Sequence, residues 1–134
     1  MREGHIISEA DQGTGTFNDQ VYLVVRYESS QTEIYIDWKS YLGSDAYVTI
    51  RFDKDPASTS SWTVSTDSKA SFYPENPNDF VNRLARAETL IARVTPFQEN
   101  PITAVFDVRG FRVAANMYMS ELKWWEVTTS SSFY

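Results

Sequence analysis

The chain has 134 residues, a length that favours one domain built on a single core. It is 42% hydrophobic and 15% aromatic, carries a net charge of −6 and has a pI near 4.7. That acidity argues against a phosphate-binding surface and against docking on anionic lipid, both of which draw on Lys and Arg. There is no cysteine. A disulfide, a thiolate nucleophile and a Cys-ligated metal are therefore excluded.

The N-terminal run MREGHIISEADQG lacks a long apolar core, so neither a signal peptide nor a membrane anchor is expected there. His5 to Ser8 predicts a short strand. Asp11 to Asn18 holds two glycines and predicts a loop. Val21 to Tyr27, rich in β-branched and aromatic residues, predicts a strand. After a turn at Ser29 to Gln31, Glu33 to Trp38 alternates and predicts its hairpin partner. Gly43-Ser44-Asp45 is a further turn.

Ala46 to Tyr73 is the most ordered pattern. Val48, Ile50 and Phe52 alternate with Tyr47, Thr49 and Arg51, the period of a strand with one buried face. Asp53-Lys54-Asp55-Pro56 breaks it, because Pro56 fixes its own φ and keeps Asp55 out of the helical region. Trp62, Val64 and Thr66 resume the alternation. Asp67-Ser68 turns the chain again, and Ala70, Phe72 and Tyr73 form a third strand before Pro74. The three make an antiparallel meander.

Beyond Pro74 the period changes. Asn76 or Asn78 is the expected cap of a helix over Asn78 to Ala87, with Asp79 in its first turn and Phe80, Val81 and Leu84 facing inward. Arg83 and Arg86 are expected on the solvent side. Thr89 to Thr95 and Ile102 to Val108 predict strands, separated by Pro96 and by Asn100-Pro101. Gly110 marks a break. Phe111 to Leu122 fits a second short helix, and Lys123 to Thr128 a last strand. The expected fold is mainly β: an antiparallel sandwich or curled sheet with one or two short helices packed on it. Residues 1–128 form the domain and 129–134 a flexible tail. Val48, Ile50, Phe52, Trp62, Leu84, Ile91 and Phe106 are the expected core.

Candidate chemistry is sparse. Asp53 and Asp55 form a D-x-D pair that suits a capped turn, or calcium if further oxygen ligands join it; the remaining acids and glycine of an EF-hand are missing. Arg51, Arg93 and Arg109 stand in or beside strands, where each can pair with an Asp such as Asp53 or Asp107. Asp37, Asp53, Asp67 and Asp107 are the carboxylates available to a glycosidase-like pair, and no two are singled out. His5 is the only histidine, so a Ser-His-Asp triad would have to use it, and His-based metal clusters are excluded. Gly13-Thr14-Gly15 lacks the third glycine and the following helix of a phosphate loop. No cofactor is expected. Trp62, Phe72, Tyr73, Trp124 and Trp125 are the aromatics that can gather on one surface. Trp124 and Trp125 are adjacent, so in a strand they face opposite ways and one of them is exposed. Trp124, Trp125 and Tyr73 are the candidate binding surface; Arg51, Asp53 and Asp55 are the candidate structural turn and ion pair.

Arg51-Phe52-Asp53, Asp55-Pro56-Ala57, Trp62 and Ser65-Thr66-Asp67 together resemble the VasI/TagO family associated with type VI secretion. Leu84-Ala85, Leu90-Ile91-Ala92-Arg93, Thr95-Pro96-Phe97, Pro101 to Asp107, Gly110-Phe111 and Lys123-Trp124 agree with it. The resemblance spans about Val21 to Trp124. It implies an accessory role without catalytic residues, a protein partner, and a place at the bacterial envelope. Family members carry a signal sequence and two cysteines; Tyr27 and Leu122 stand in the cysteine positions here. That departure opens a cytoplasmic or phage-encoded relative as the alternative. A small carboxylate-dependent hydrolase is the third reading.

Overall fold

The computed structural model describes residues 4–15, 19–28, 31–111 and 128–129. Its elements are β1 (Gly4–Thr14), β2 (Gln20–Glu28), β3 (Gln31–Asp37), β4 (Ala46–Phe52), β5 (Ser58–Val64), β6 (Ala70–Phe72), α1 (Pro77–Arg86), β7 (Thr89–Val94), β8 (Ile102–Asp107) and β9 (Thr128–Thr129). The chain is mainly β. Its sheet curls until the ends meet, in the circular order β1-β2-β3-β6-β5-β4-β7-β8 and back to β1. Every neighbour in that ring is antiparallel; β9 adds to β1 in parallel, outside it.

Closure depends on β1, which runs through the stretch expected to be a loop. Its first part pairs with β2 from Gly4 opposite Tyr27 to Glu9 opposite Tyr22, and Gln12 then lies against Val105 of β8. Gly13 makes the transition, at φ +89° with β8 so close that a Cβ would fall 2.2 Å from the Thr103 carbonyl oxygen. Only glycine fits such an approach, so the residue that suggested a loop is what lets the strand continue.

The barrel interior is the core. Val21, Leu23 and Val25 of β2, Ile34 and Ile36 of β3, Val48, Ile50 and Phe52 of β4, and Ala104 and Phe106 of β8 are all buried. Alternation along each strand sends these residues inward. The core combines small residues, the buried alanines at 10, 46, 92 and 104, with the large buried side chains of Trp38, Phe106 and Phe111. Trp38 stays wholly buried because its Nε1 donates to Ser71 Oγ at 2.9 Å. Ile91 departs from expectation: in β7 the inward face is Leu90, Ala92 and Val94, and Ile91 is half-buried on the outer face, opposite Arg51 and Val105. The run TLIARV holds apolar residues on both faces at Leu90 and Ile91, and its register with β4 decides between them.

Helix α1 lies across the end where β4 stops and β7 starts. Asn76 caps it, its Oδ1 accepting from Asn78 N at 2.9 Å, and Pro77 occupies the first turn. Phe80 packs against Phe52, Trp62 and Tyr73, with ring centroids 5.3, 6.2 and 4.7 Å away. Arg83, expected in solvent, lies over the Phe52 ring at 4.2 Å. The break expected at Gly110 falls at Val108, between the end of β8 and the helical residues Arg109 to Phe111. The second helix expected over Phe111 to Leu122 otherwise lies outside the described residues, as does Lys123 to Val127. Thr129, assigned to the tail by sequence, sits in β9 with Thr128, opposite Ile6 and His5. Residues 130–134 are outside the described set. Among the described residues no helix is long and apolar enough to cross a membrane.

Candidate functional site

The acidic turn after β4 is structural in its contacts. Asp53 has φ +51°, a left-handed conformation that Asp tolerates better than most residues. Its Oδ1 accepts from the amides of Glu88 and Thr89 at 3.0 and 2.9 Å, and its own amide donates to the Thr89 carbonyl at 2.9 Å. Asp53 thereby joins the end of β4 to the start of β7. Arg51, expected as its ion partner, points outward and is exposed, because period two puts it opposite the buried Ile50 and Phe52 faces. Asp55 instead approaches Arg83 at 3.9 Å, a loose and largely exposed pair. Among the described residues no group of three acidic or histidine side chains converges as a metal site.

The other carboxylates named from the sequence also serve local structure. Asp37 accepts from Lys39 N at 3.2 Å and pairs with Lys39 Nζ at 3.2 Å. Asp67 accepts from Ser65 Oγ at 2.7 Å and from Lys69 N at 3.0 Å, and these bonds hold its carboxyl below the usual carboxylate range. Asp107 pairs with Arg109, as expected; Arg109 Nε donates to Oδ1 at 2.9 Å and lowers the Asp107 pKa. Asp37 and Asp107 end strands β3 and β8, Asp67 lies in a turn, and each is held by neighbours within two residues of it.

Tyr73 follows β6 and is half-buried, its ring 5.3 Å from Trp62 and 4.7 Å from Phe80. Burial raises its hydroxyl pKa, and Glu75 adds to the effect. Trp62 itself is core, with Nε1 donating to Ser60 Oγ at 3.1 Å. Trp124 and Trp125 lie outside the described residues.

Among the described residues, the exposed aromatic pair is one that sequence reading did not single out. At the end of the barrel opposite α1, three loops are tied together by backbone bonds. Trp38 N donates to Lys69 O at 2.9 Å, Leu42 N to Ser68 O at 2.7 Å, and Phe97 N to Tyr41 O at 3.0 Å. Lys39, Gly43, Ser68 and Gln98 all have positive φ there, so each loop takes a tight, defined path. Tyr41 and Phe97 stand up from this frame, 55% and 54% exposed, with their rings edge to face at 5.8 Å. They border a hollow of about 300 Å³ that Lys39, Lys69, Ser40, Asp19 and Glu99 also line. Both aromatics lie in loops, where periodicity carries no signal. The available clue was an aromatic residue beside a turn, at Tyr41 before Gly43-Ser44-Asp45 and at Phe97 after Pro96.

The chain matches no protein-family model, no curated protein and no solved structure.

Proposed function

We propose that this protein is a non-catalytic recognition module that binds a protein partner through the Tyr41–Phe97 end of its barrel. One observation carries the reading: two large aromatic side chains are more than half exposed, touch each other, and are held by a backbone bond between their own residues. Tyrosine and phenylalanine bring large contact area with few rotatable bonds, so a pre-positioned pair binds with little ordering cost. Aromatic anchors of this kind, set beside a hollow with charges of both signs, are the usual centre of a protein contact. The bulk acidity and the mixed charges of the hollow favour a protein over nucleic acid. The resemblance read in Arg51 to Asp67 directs the search for the partner to the bacterial envelope, with a phage or mobile-element setting as the alternative.

A hydrolase reading draws on a single observation, the presence of Asp19 and Glu99 on the same hollow. Both residues are exposed, whereas acid–base pairs need environments that set the two carboxyls apart.

The test is affinity capture from envelope extracts with the wild-type chain, Tyr41→Ala, Phe97→Ala and Asp19→Asn/Glu99→Gln. The reading expects one identified protein to be retained by the wild type and by the carboxylate variant, and lost with either aromatic change. Loss of a hydrolytic activity in the carboxylate variant, with unchanged capture by the aromatic ones, would overturn it.

A further inference from the structure

The wall of the barrel is incomplete beside β5. Strand β5 pairs with β4 from Ser58 to Trp62, but with β6 only at Thr63 and Val64. Strand β6 is three residues long and is followed at once by Pro74, which has no N–H to continue a ladder. Past that point no strand among the described residues pairs with the edge of β5 over Ser58 to Ser61. In an antiparallel ladder alternate residues direct their N–H and C=O to one neighbour, so the remaining groups of this edge face away from β4. Ser58, Thr59, Ser60 and Ser61 are all exposed, although Ser58 and Ser60 lie opposite the buried Ile50 and Val48 and share their inward face. A closed wall would bury those two serines. The devices that normally guard a free edge, an edge lysine, a proline or a bulge, are missing from this segment.

Two neighbouring features define what fits there. A hollow of about 480 Å³ adjoins the strand, lined by Thr63, Val64, Thr66, Phe72 and Glu33. It offers room for a side chain beside the edge, as strand-adding peptide sites do. Glu75 and Asp79 act electrostatically on Tyr73, and Arg83 acts on it with the opposite sign while also pairing with Asp55, so acids outnumber the base where β6 leaves the sheet. With the net charge of −6, they favour a cationic arrival and disfavour a second copy of the same acidic chain.

We propose that the free edge of β5 over Ser58–Ser61 takes up an extended, lysine- or arginine-bearing segment of a protein partner by strand addition. Backbone groups of the edge supply the hydrogen bonds, the Phe72 hollow takes one side chain, and Glu75 and Asp79 receive the positive charge. The edge lies towards the α1 end of the barrel and its hollow shares no lining residue with that of Tyr41 and Phe97, so the site stands or falls independently of the recognition surface proposed above.

The test uses the full chain labelled with ¹⁵N and the synthetic peptide Lys-Thr-Val-Lys-Val-Thr-Val-Lys as probe, followed by amide shifts and hydrogen exchange. The expected result is saturable shifts and slowed exchange at Ser58 to Ser61 by about 1 mM peptide. Binding should weaken at least about tenfold, near 1.4 kcal/mol, when glutamate replaces each lysine. It should vanish when alternate peptide amides are N-methylated, a change that leaves the protein's own folding untouched. Equal binding of the N-methylated peptide would overturn the proposal. So would shifts located elsewhere, no shift at that concentration, or self-association through β5 in sedimentation without peptide uptake.

Discussion

Asp53 and Thr89 hold each other twice. The Asp53 amide donates to the Thr89 carbonyl at 2.9 Å, and the Asp53 carboxylate accepts from the Thr89 amide at 2.9 Å. With the further bond from Glu88 N, one side chain fastens the end of β4 to the start of β7 across a separation of 36 residues. Asp53→Ala should lose the charged acceptor and strain a left-handed backbone, destabilising the fold by about 1–3 kcal/mol. Asp53→Asn should cost less, since it keeps an acceptor and tolerates φ +51°. Urea midpoints for the two variants measure this, and equal loss would show that the acceptor is irrelevant.

The core separates Ile91 from its sequence neighbours. Leu84 and Phe106 are completely buried, so truncating either to alanine should cost about 2–5 kcal/mol. Ile91 sits half-buried on the outer face of β7, and Ile91→Ala should cost clearly less than Leu90→Ala. Denaturant melts of the four variants rank them directly. An Ile91 penalty matching that of Leu90 would contradict the register of β7 with β4.

Acid sensitivity follows from Asp67 and Asp107. The Ser65 hydroxyl lowers the first and the Arg109 guanidinium the second, so both carboxyls ionise more readily folded than unfolded. A depressed folded pKa adds stability above the unfolded value of about 3.9 and loses it as pH falls through the folded value. Wild type should therefore exceed Asp107→Asn in stability near neutral pH, with the gap closing as pH drops below about 4. Thermal melts across that range test it; a gap that stays constant with pH would assign the effect to something other than ionisation.

Much of the strand pattern was legible because alternation is written directly in stretches such as Val48, Ile50 and Phe52. The helix was legible from its cap and its Phe80–Leu84 spacing. Closure of the barrel was not, because it rests on Gly13 allowing β1 to lie against Thr103, and glycines read locally as a loop. The start of β5 was missed for a related reason: Ser58 to Ser61 face solvent on both sides, so no apolar alternation marks them. The Tyr41–Phe97 pair was hidden because its members come from separate loops and meet only once those loops are tied together.

Gly43 tests that frame. It has φ +81°, and a Cβ there would press the Phe97 ring at 3.3 Å. Gly43→Ala should destabilise the chain by about 1 kcal/mol or more and shift the Tyr41 and Phe97 ring resonances. Unchanged stability and unchanged ring shifts would mean that the loop does not hold the pair.

The recognition surface itself is most directly tested by site-specific photo-cross-linking in cells of the native host, with a light-activated phenylalanine analogue in place of Tyr41, of Phe97, or of Tyr47. Tyr47 is 64% exposed on the outer face of β4, outside the three tied loops, so it serves as the control. The account predicts the same protein adduct from positions 41 and 97 and none of it from position 47. Adducts that are equal at all three positions, or absent at 41 and 97, would contradict it.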